Sequence, residues 1–536
     1  MISLLIRNGT VADGGGGAPF AADVAVENGR IAGIGRFPEA RAAQTVDAAG
    51  KWVTPGFLDI HRHGDAAAFR PSYGEAELMQ GITTVVNGNC GLSAAPMEPR
   101  FGGALRAYMR PILGELPEDV PCGSVADYLS ALSRSGPRLN VGTLLGGGTV
   151  RAGVRGLADG ALTDGEVRAV RAGLERGLAD GALGVSLGLG YAPECFYDTA
   201  GLLRALEPLR GGRTPVAVHM RQEGDGMPEA LAEMLSVARA LNAPVHISHL
   251  KAMGRHNWGV YAARALEMLS RAREEGLDVS CDAYPYAAGS TQLVHILPPE
   301  FLPGGTGAIC ARLRDPALRE KLAERLRTGR DFENIVRLAG WDGITASGFC
   351  RPENAAYENK TLAEIAGARG EDPLDACRAL LASEDCALTM VDRMMDEDDV
   401  AAILRAPFAS AISDATHPAH GRLHPRVYGA FTRVLETFSR VRGDLTPEAA
   451  VARLTGAPAA ALGLRGRGRL LPGYRADIAV FDPKKIHENA TYADPERFSD
   501  GMEWVFVGGT AAVAAGRLTG ARAGRVLRAG EGERET

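Results

Sequence analysis

Thr163-Asp-Gly-Glu-Val-Arg-Ala-Val-Arg-Ala-Gly-Leu-Glu-Arg-Gly-Leu-Ala-Asp-Gly181-Ala-Leu-Gly-Val-Ser186 holds one cycle of the alternation that decides the fold. Thr163 and Glu166 have capping-box spacing, with a hydroxyl for the N–H three residues on and a carboxylate to reach back. Val167, Val170, Leu174 and Leu178 then recur at helical intervals up to Gly181, and Ala182 to Ser186 reads as a short apolar strand. The cycle repeats. Pro215-Val-Ala-Val218 precedes a helix near 228–241, Pro244 to Ser248 precedes one near 260–275, and Leu277 to Cys281 is the next strand. Strands and helices alternating over about 400 residues predict a parallel sheet, and that length favours an α/β fold of the (β/α)8 TIM-like barrel type over an open sheet.

Both ends of the chain read differently. Leu4 to Arg7, Asp23 to Val26 and Ile31 to Ile34 are short strands broken by Asn8-Gly9 and Asn28-Gly29, and Ala476 to Phe481, Trp504 to Val507 and Thr510 to Val513 repeat the pattern. This divides the chain into 1–55 and 466–536, which share one small β domain, and 56–465 between them. Within the central part, residues from about 290 to 348 break the rhythm with Pro298-Pro299, Pro303-Gly304-Gly305 and a basic stretch from Arg312 to Arg330. They read as a lid-like insertion.

Composition narrows the function. The 536 residues carry 59 basic and 65 acidic side chains, a net charge of −6, which gives no electrostatic case for a nucleic-acid or anionic-membrane partner. Eight cysteines without CxxC spacing argue against a secreted disulfide framework. Met1-Ile-Ser-Leu-Leu-Ile-Arg7 lacks a signal-peptide core, and no apolar run has the length of a membrane span. A soluble, cytoplasmic protein acting on a small molecule is expected. The sequence leaves its oligomeric state open.

The residues that carry chemistry follow the expected strands. His61 and His63 come after Phe57 to Ile60, Cys90 after Ile82 to Val86, His219 after Pro215 to Val218, His249 after Pro244 to Ser248, and Asp414 after Ala409 to Ser413. Taken singly, each has a plain reading as a core histidine or small buried hydrophobe. In a (β/α)8 barrel, however, the C-terminal strand ends converge on one face. Imidazole, thiolate and carboxylate together suit a Zn2+-like ion, which lowers the pKa of its water from about 15.7 to about 7. Asp414 is then placed to take and return the proton. By alternation His246 points away from Val245 and Ile247 and reads as structural. His417, His420 and His424 share the loop after Asp414 and read either as outer partners of the site or as solvated side chains. Gly14 to Gly17 and Gly146-Gly147-Gly148 match no phosphate-binding pattern and read as turns.

Pro55-Gly-Phe-Leu-Asp-Ile-His-Arg-His63 resembles the opening HxH signature of the amidohydrolase superfamily. More narrowly, the chain resembles the N-acyl-D-amino-acid deacylases (D-aminoacylases). Gly88-Asn-Cys-Gly91, Gly181 to Leu189 with Tyr191, His219-Met-Arg-Gln-Glu-Gly224, Ile247-Ser-His-Leu-Lys251 with Asn257-Trp-Gly259, Asp282-Ala-Tyr-Pro-Tyr286, Ser413-Asp414 and His424-Pro-Arg-Val-Tyr-Gly429 carry the likeness. It implies a split β-sandwich at the termini and a tightly bound Zn2+ on Cys90, His219 and His249. It also implies a second, weaker metal position at His61 and His63, with Asp414 as acid/base. Arg426 would grip a substrate carboxylate, with Tyr191, Tyr284 and Lys251 as further substrate-binding residues.

The chain departs from the family pattern at Arg62, Gly64-Asp65, Leu250 and Ala192. It also carries Gly147 where a histidine is frequent, and Glu194 where the family has glycine. The expected activity is hydrolysis of N-acyl-D-amino acids to a carboxylate and a D-amino acid by metal-activated water. The alternative is an amidohydrolase acting on another carboxylate-bearing amide, a cyclic amide or a deamination substrate.

Overall fold

The computed structural model describes residues 2–530. The capping box forms as the sequence predicts: Thr163 Oγ1 accepts the Glu166 N–H at 3.3 Å, and Glu166 Oε2 accepts the Thr163 N–H at 2.8 Å. The helix runs Asp164–Ala179 and buries Val167, Val170 and Leu174 together with Gly173 and Gly177. Gly177 is needed for a close approach, since a Cβ there would lie 2.6 Å from Leu145 Cδ2. The strand that follows is Val185–Gly188.

Val185–Gly188 lies in a parallel sheet whose order is Leu145–Gly146, Val185–Gly188, Val216–His219, Val245–Ile247, Val279–Ala283 and Ala409–Ala411. Gly188 stands opposite His219, and Val218 opposite Ile247, so the strands end nearly level. A second parallel sheet holds Phe57–Asp59, Ile82–Asn87 and Asn140–Thr143. The two sheets are tied at both margins. Leu144 N–H donates to Asn87 C=O at 2.8 Å while Leu145 N–H donates to Gly184 C=O at 2.9 Å. At the other margin Asp414 N–H donates to His61 C=O at 3.0 Å, and Ala415–Thr416 pairs with Arg62–His63. The strands are buried nearly throughout, as expected when both faces are covered.

The two ends of the chain meet in one nine-stranded sheet, where Trp52–Pro55 pairs antiparallel with Ile478–Phe481. Leu4, Ile6, Val24, Val26, Val53, Ile478, Val480 and Phe506 form its separate core. Burying an aliphatic side chain of this size contributes roughly 1.5–3 kcal/mol, so this small core supports its own layer.

Between Val279–Ala283 and Ala409–Ala411 lies an antiparallel sheet in which Thr389–Asp392 pairs with both Gly289–Gln292 and Ile344–Ser347. Its pairing therefore reaches beyond residue 348. The Gly146-Gly147-Gly148 run corrects the sequence reading: it opens the helix Gly147–Arg155. No side chain caps that start, and Gly91 C=O instead takes the Thr149 N–H at 3.0 Å, a tertiary contact that local sequence does not encode. No helix of the described residues is long and apolar enough to cross a membrane.

Candidate active site

His61, His63, Cys90, His219, His249 and Asp414 converge as the strand ends predict, and all six are buried. Three of them take a conformation that side chains seldom adopt, with φ of 52° at Cys90, 32° at His249 and 50° at Asp414. Each costs about 1–3 kcal/mol and persists only where neighbours over-determine it. Those neighbours are present. Asn89 Nδ2 donates to the carbonyls of Ile60, Arg62 and Val86 at 3.3, 3.4 and 3.1 Å, stitching the Cys90 turn to the His61 strand. Asp282 accepts the His249 N–H, and His61 C=O accepts that of Asp414.

The donor atoms crowd one point. Cys90 Sγ lies 3.3 Å from His61 Nε2 and 3.3 Å from His249 Nε2, and His219 Nδ1 lies 3.0 Å from His249 Nε2. Asp414 Oδ1 is 3.5 Å from His61 Nε2 and 3.4 Å from His63 Nε2. Burial would raise the Cys90 thiol, but the imidazoles of His61 and His249 outweigh it and hold the thiol well below its ordinary range. For Asp414 burial is likewise outweighed, chiefly by Arg426, His63 and His61, so the carboxyl stays ionised.

These residues fit a metal. His61, His63 and Cys90 form one group, and Cys90, His219 and His249 another, with all ligand atoms of each within 4.8 Å. Cys90 belongs to both groups. His63 Nδ1 is buried without a hydrogen-bond partner among the described residues. Imidazole nitrogens and a thiolate pointing at one another without intervening donors suit a divalent cation of the zinc type.

Around this core stand groups that aim the ligands. Glu223 Oε1 is 2.8 Å from His249 Nδ1, and its Oε2 is 2.6 Å from Lys251 Nζ. Burial would raise Glu223, but His249 and Lys251 pull it well below the usual carboxylate range. Asp282 lies 2.7 Å from His246 Nε2 and 3.5 Å from His61 Nδ1, which bears out His246 as structural. Such carboxylate–histidine contacts fix ring orientation and basicity. Sequence reasoning places Glu223 and Asp282 within motifs but gives them no role. Their signal is a carboxylate placed just beyond a strand-end histidine or at the end of the next strand.

The substrate-binding candidates divide into two groups. Arg426 is fully buried, with Nη1 2.9 Å from Asp414 Oδ2, Nη2 donating to Ser290 C=O at 2.9 Å, and its guanidinium 4.9 Å from the Tyr284 ring centre. Lys251 Nζ lies 5.7 Å from the same ring. Tyr191 packs instead on His219 and His295, at 4.6 and 4.5 Å between ring centres, and its hydroxyl meets Thr291 Oγ1 at 2.9 Å. Sequence reasoning misses His295. It comes from the segment after Gln292 that has no strand pattern, and burial and His219 lower its pKa to about 3, so it stays neutral. In the Asp414 loop, His424 Nδ1 accepts the Arg426 N–H at 3.0 Å, His417 faces Arg62 at 3.2 Å, and His420 is exposed.

The chain matches the amidohydrolase family over residues 44–113 and 340–513. It is 35% identical over 531 residues to the D-aminoacylase of Alcaligenes xylosoxydans xylosoxydans, covering 98% of this chain and 97% of that protein. It is 34% identical over 541 residues to the N-acyl-D-aspartate deacylase of the same organism, covering 98% and 95%. In structure it is similar to the N-acyl-D-glutamate deacylase of Bordetella bronchiseptica complexed with zinc and a phosphonate inhibitor that mimics the tetrahedral intermediate. That likeness has a TM-score of 0.82 at 34% identity and covers 98% of this chain and 100% of the other.

Proposed function

The chain belongs to the N-acyl-D-amino-acid deacylases of the amidohydrolase family, and from that membership we propose that it hydrolyses the amide bond of an N-acyl-D-amino acid to a carboxylate and a D-amino acid. The observation that carries this reading is Cys90 shared between two histidine groups, with an ionised Asp414 beside them. Cys90, His219 and His249 would hold one zinc tightly, and His61 and His63 would offer a second, weaker position. A divalent ion held there supplies Lewis acidity, polarising the acyl oxygen and acidifying water.

The chain's own groups do the rest. Asp414 takes a proton from the attacking water and hands it to the leaving nitrogen, so its carboxylate must start ionised, as its surroundings favour. Glu223 holds the His249 imidazole in orientation, while Asp282 takes the His249 backbone N–H and puts its charge 3.5 Å from His61 Nδ1. Arg426 and Lys251, both over the Tyr284 ring, would form a cationic corner for the substrate carboxylate, and Tyr191, packed on His219, would be a further wall of the site.

We read the parallel strands, joined at both margins, as one (β/α)8 barrel spanning 56–465, with residues 1–55 and 466–536 making a β-sandwich domain. The excursion after residue 289 is a lid-like insertion that delivers Thr291 and His295 to the site wall. Release of free amine from paired N-acetyl-D- and N-acetyl-L-amino acids, with metal content on the same preparation, tests the activity. D-selective release with about one zinc per chain supports it. Zinc without turnover of any member would refute the substrate class and leave the metal centre standing.

A further inference from the structure

Glu194 has no part in that scheme, yet it is 2% exposed and sits directly behind the Cys90 turn. Its Oε2 accepts the Gly188 N–H at 2.6 Å, and its Oε1 has no hydrogen-bond partner among the described residues. Glycines wall the carboxyl on several sides. A Cβ at Gly91 would lie 2.0 Å from Oε2, one at Gly147 2.6 Å from Oε1, and one at Gly148 3.2 Å from Oε2. Such distances leave room for no side chain at 91 or 147 while Glu194 keeps its place.

The turn against which it packs is the strained one. Gly91 has φ of 72° beside Cys90 at 52°, and its N–H donates to Ser186 Oγ at 3.0 Å. A Cβ at Gly188, whose N–H Glu194 holds, would lie 2.1 Å from the Cys90 carbonyl oxygen. The carboxyl therefore touches the Cys90 turn through Gly91 and pins the strand end on which that turn rests.

We infer that Glu194 is a positioning residue for Cys90. Its carboxyl occupies the space where a side chain at 147 would stand and props the Asn89-Cys90-Gly91 turn, so that the sulfur is presented to both histidine groups. Gly147 and Glu194 form one unit, in which neither side chain can change size alone. The inference rests on the metal-centre reading but not on the substrate.

The test uses the full chain loaded with Co2+ and reads thiolate-to-cobalt absorption and affinity by chelator competition. Glu194→Ala is expected to weaken that band and lower affinity by about 10–100-fold, the usual cost of losing an outer partner of a metal site. Glu194→Gln keeps the shape and an acceptor for Gly188, and is expected to recover most of both. Gly147→Ala alone is expected to be as damaging as Glu194→Ala but to add little further loss in a Glu194→Gly background, where Leu187 Cδ2 at 2.9 Å, the end of a flexible side chain, and Ser186 C=O at 3.2 Å are the remaining neighbours of the new methyl group, a non-additive pair. Unchanged band and affinity in Glu194→Ala, or additive losses in the Gly147→Ala/Glu194→Gly pair, would overturn the inference. If Glu194→Ala does not fold, Glu194→Gln and the two position-147 variants still decide it. A wild-type chain without a thiolate–cobalt band would remove the metal centre and this inference together. A normal band in a chain that turns over no N-acyl-D-amino acid would remove only the substrate reading.

Discussion

Arg426 Nη1 lies 2.9 Å from Asp414 Oδ2, and both side chains are buried. The guanidinium helps keep Asp414 ionised, and in the function proposed above it would also present a cation to the substrate carboxylate. Replacing Asp414 with Asn keeps the shape of the side chain and removes its proton-accepting charge. Metal content is expected to persist while kcat falls by about 10²–10⁴-fold, the usual worth of general acid–base catalysis. Turnover near the wild-type value would show that another group moves the proton.

Arg426→Lys separates the two duties. Lysine keeps a charge near Asp414 but loses the planar fork. The expected result is a raised KM for N-acyl-D-amino acids and little change for the matching carboxamides, measured side by side. An equal loss on both substrate types would mean that Arg426 acts through Asp414 alone.

Glu223 touches both His249 and Lys251, at 2.8 and 2.6 Å. In Glu223→Gln the His249 ring loses its anionic partner and Lys251 its counter-charge. Zinc affinity is expected to drop by about 10–100-fold with the fold retained, by chelator competition and circular dichroism. Full affinity would leave Glu223 without a role in aiming His249.

The six strand-end residues are legible because a strand that ends at a given residue fixes where the next side chain stands, whatever the intervening helices do. His295 is not, because the backbone that carries it is a 3-10 turn, Leu293–Ile296, with no period to read. Gly147 reads as a turn for a related reason. Glycine is a poor helix former, and the contact that starts this helix, Gly91 C=O to Thr149 N–H, joins residues 58 positions apart, counting from 91 to 149. Glu194 is visible only as a departure from the family pattern, and the space it fills comes from glycines far away in sequence.

Two glycines test helix packing with opposite signs. Gly177 faces Leu145, so Gly177→Ala forces a methyl group into occupied space and is expected to destabilise by about 1–3 kcal/mol. Gly103, within the helix Pro99–Leu113, has open space out to 4 Å around the point where a methyl group would stand, so Gly103→Ala is expected to stabilise by roughly 0.5–1 kcal/mol. Urea unfolding of both variants checks the pair, and equal effects would contradict the close approach at Gly177.

Asp225 gives a pH test away from the metal ligands. Burial would raise its carboxyl, but hydrogen bonds from Arg337, His256 and Asn257 outweigh it and bring the pKa down to about 2 from an ordinary 3.8. Arg337 Nε and Arg330 Nη1 reach its Oδ2 at 2.9 and 3.0 Å, linking the loop after His219 to the segment 330–337. A carboxyl whose folded pKa is depressed stabilises the fold above its unfolded pKa, and that contribution is lost as pH falls toward the folded value. The stability gap between wild type and Asp225→Asn is therefore expected to be constant above about pH 5 and to shrink steadily from about pH 4 toward pH 2. Urea unfolding across that range measures it. A gap that holds its size down to about pH 3 would mean that shape and hydrogen bonding, rather than the charge, account for what Asp225 contributes.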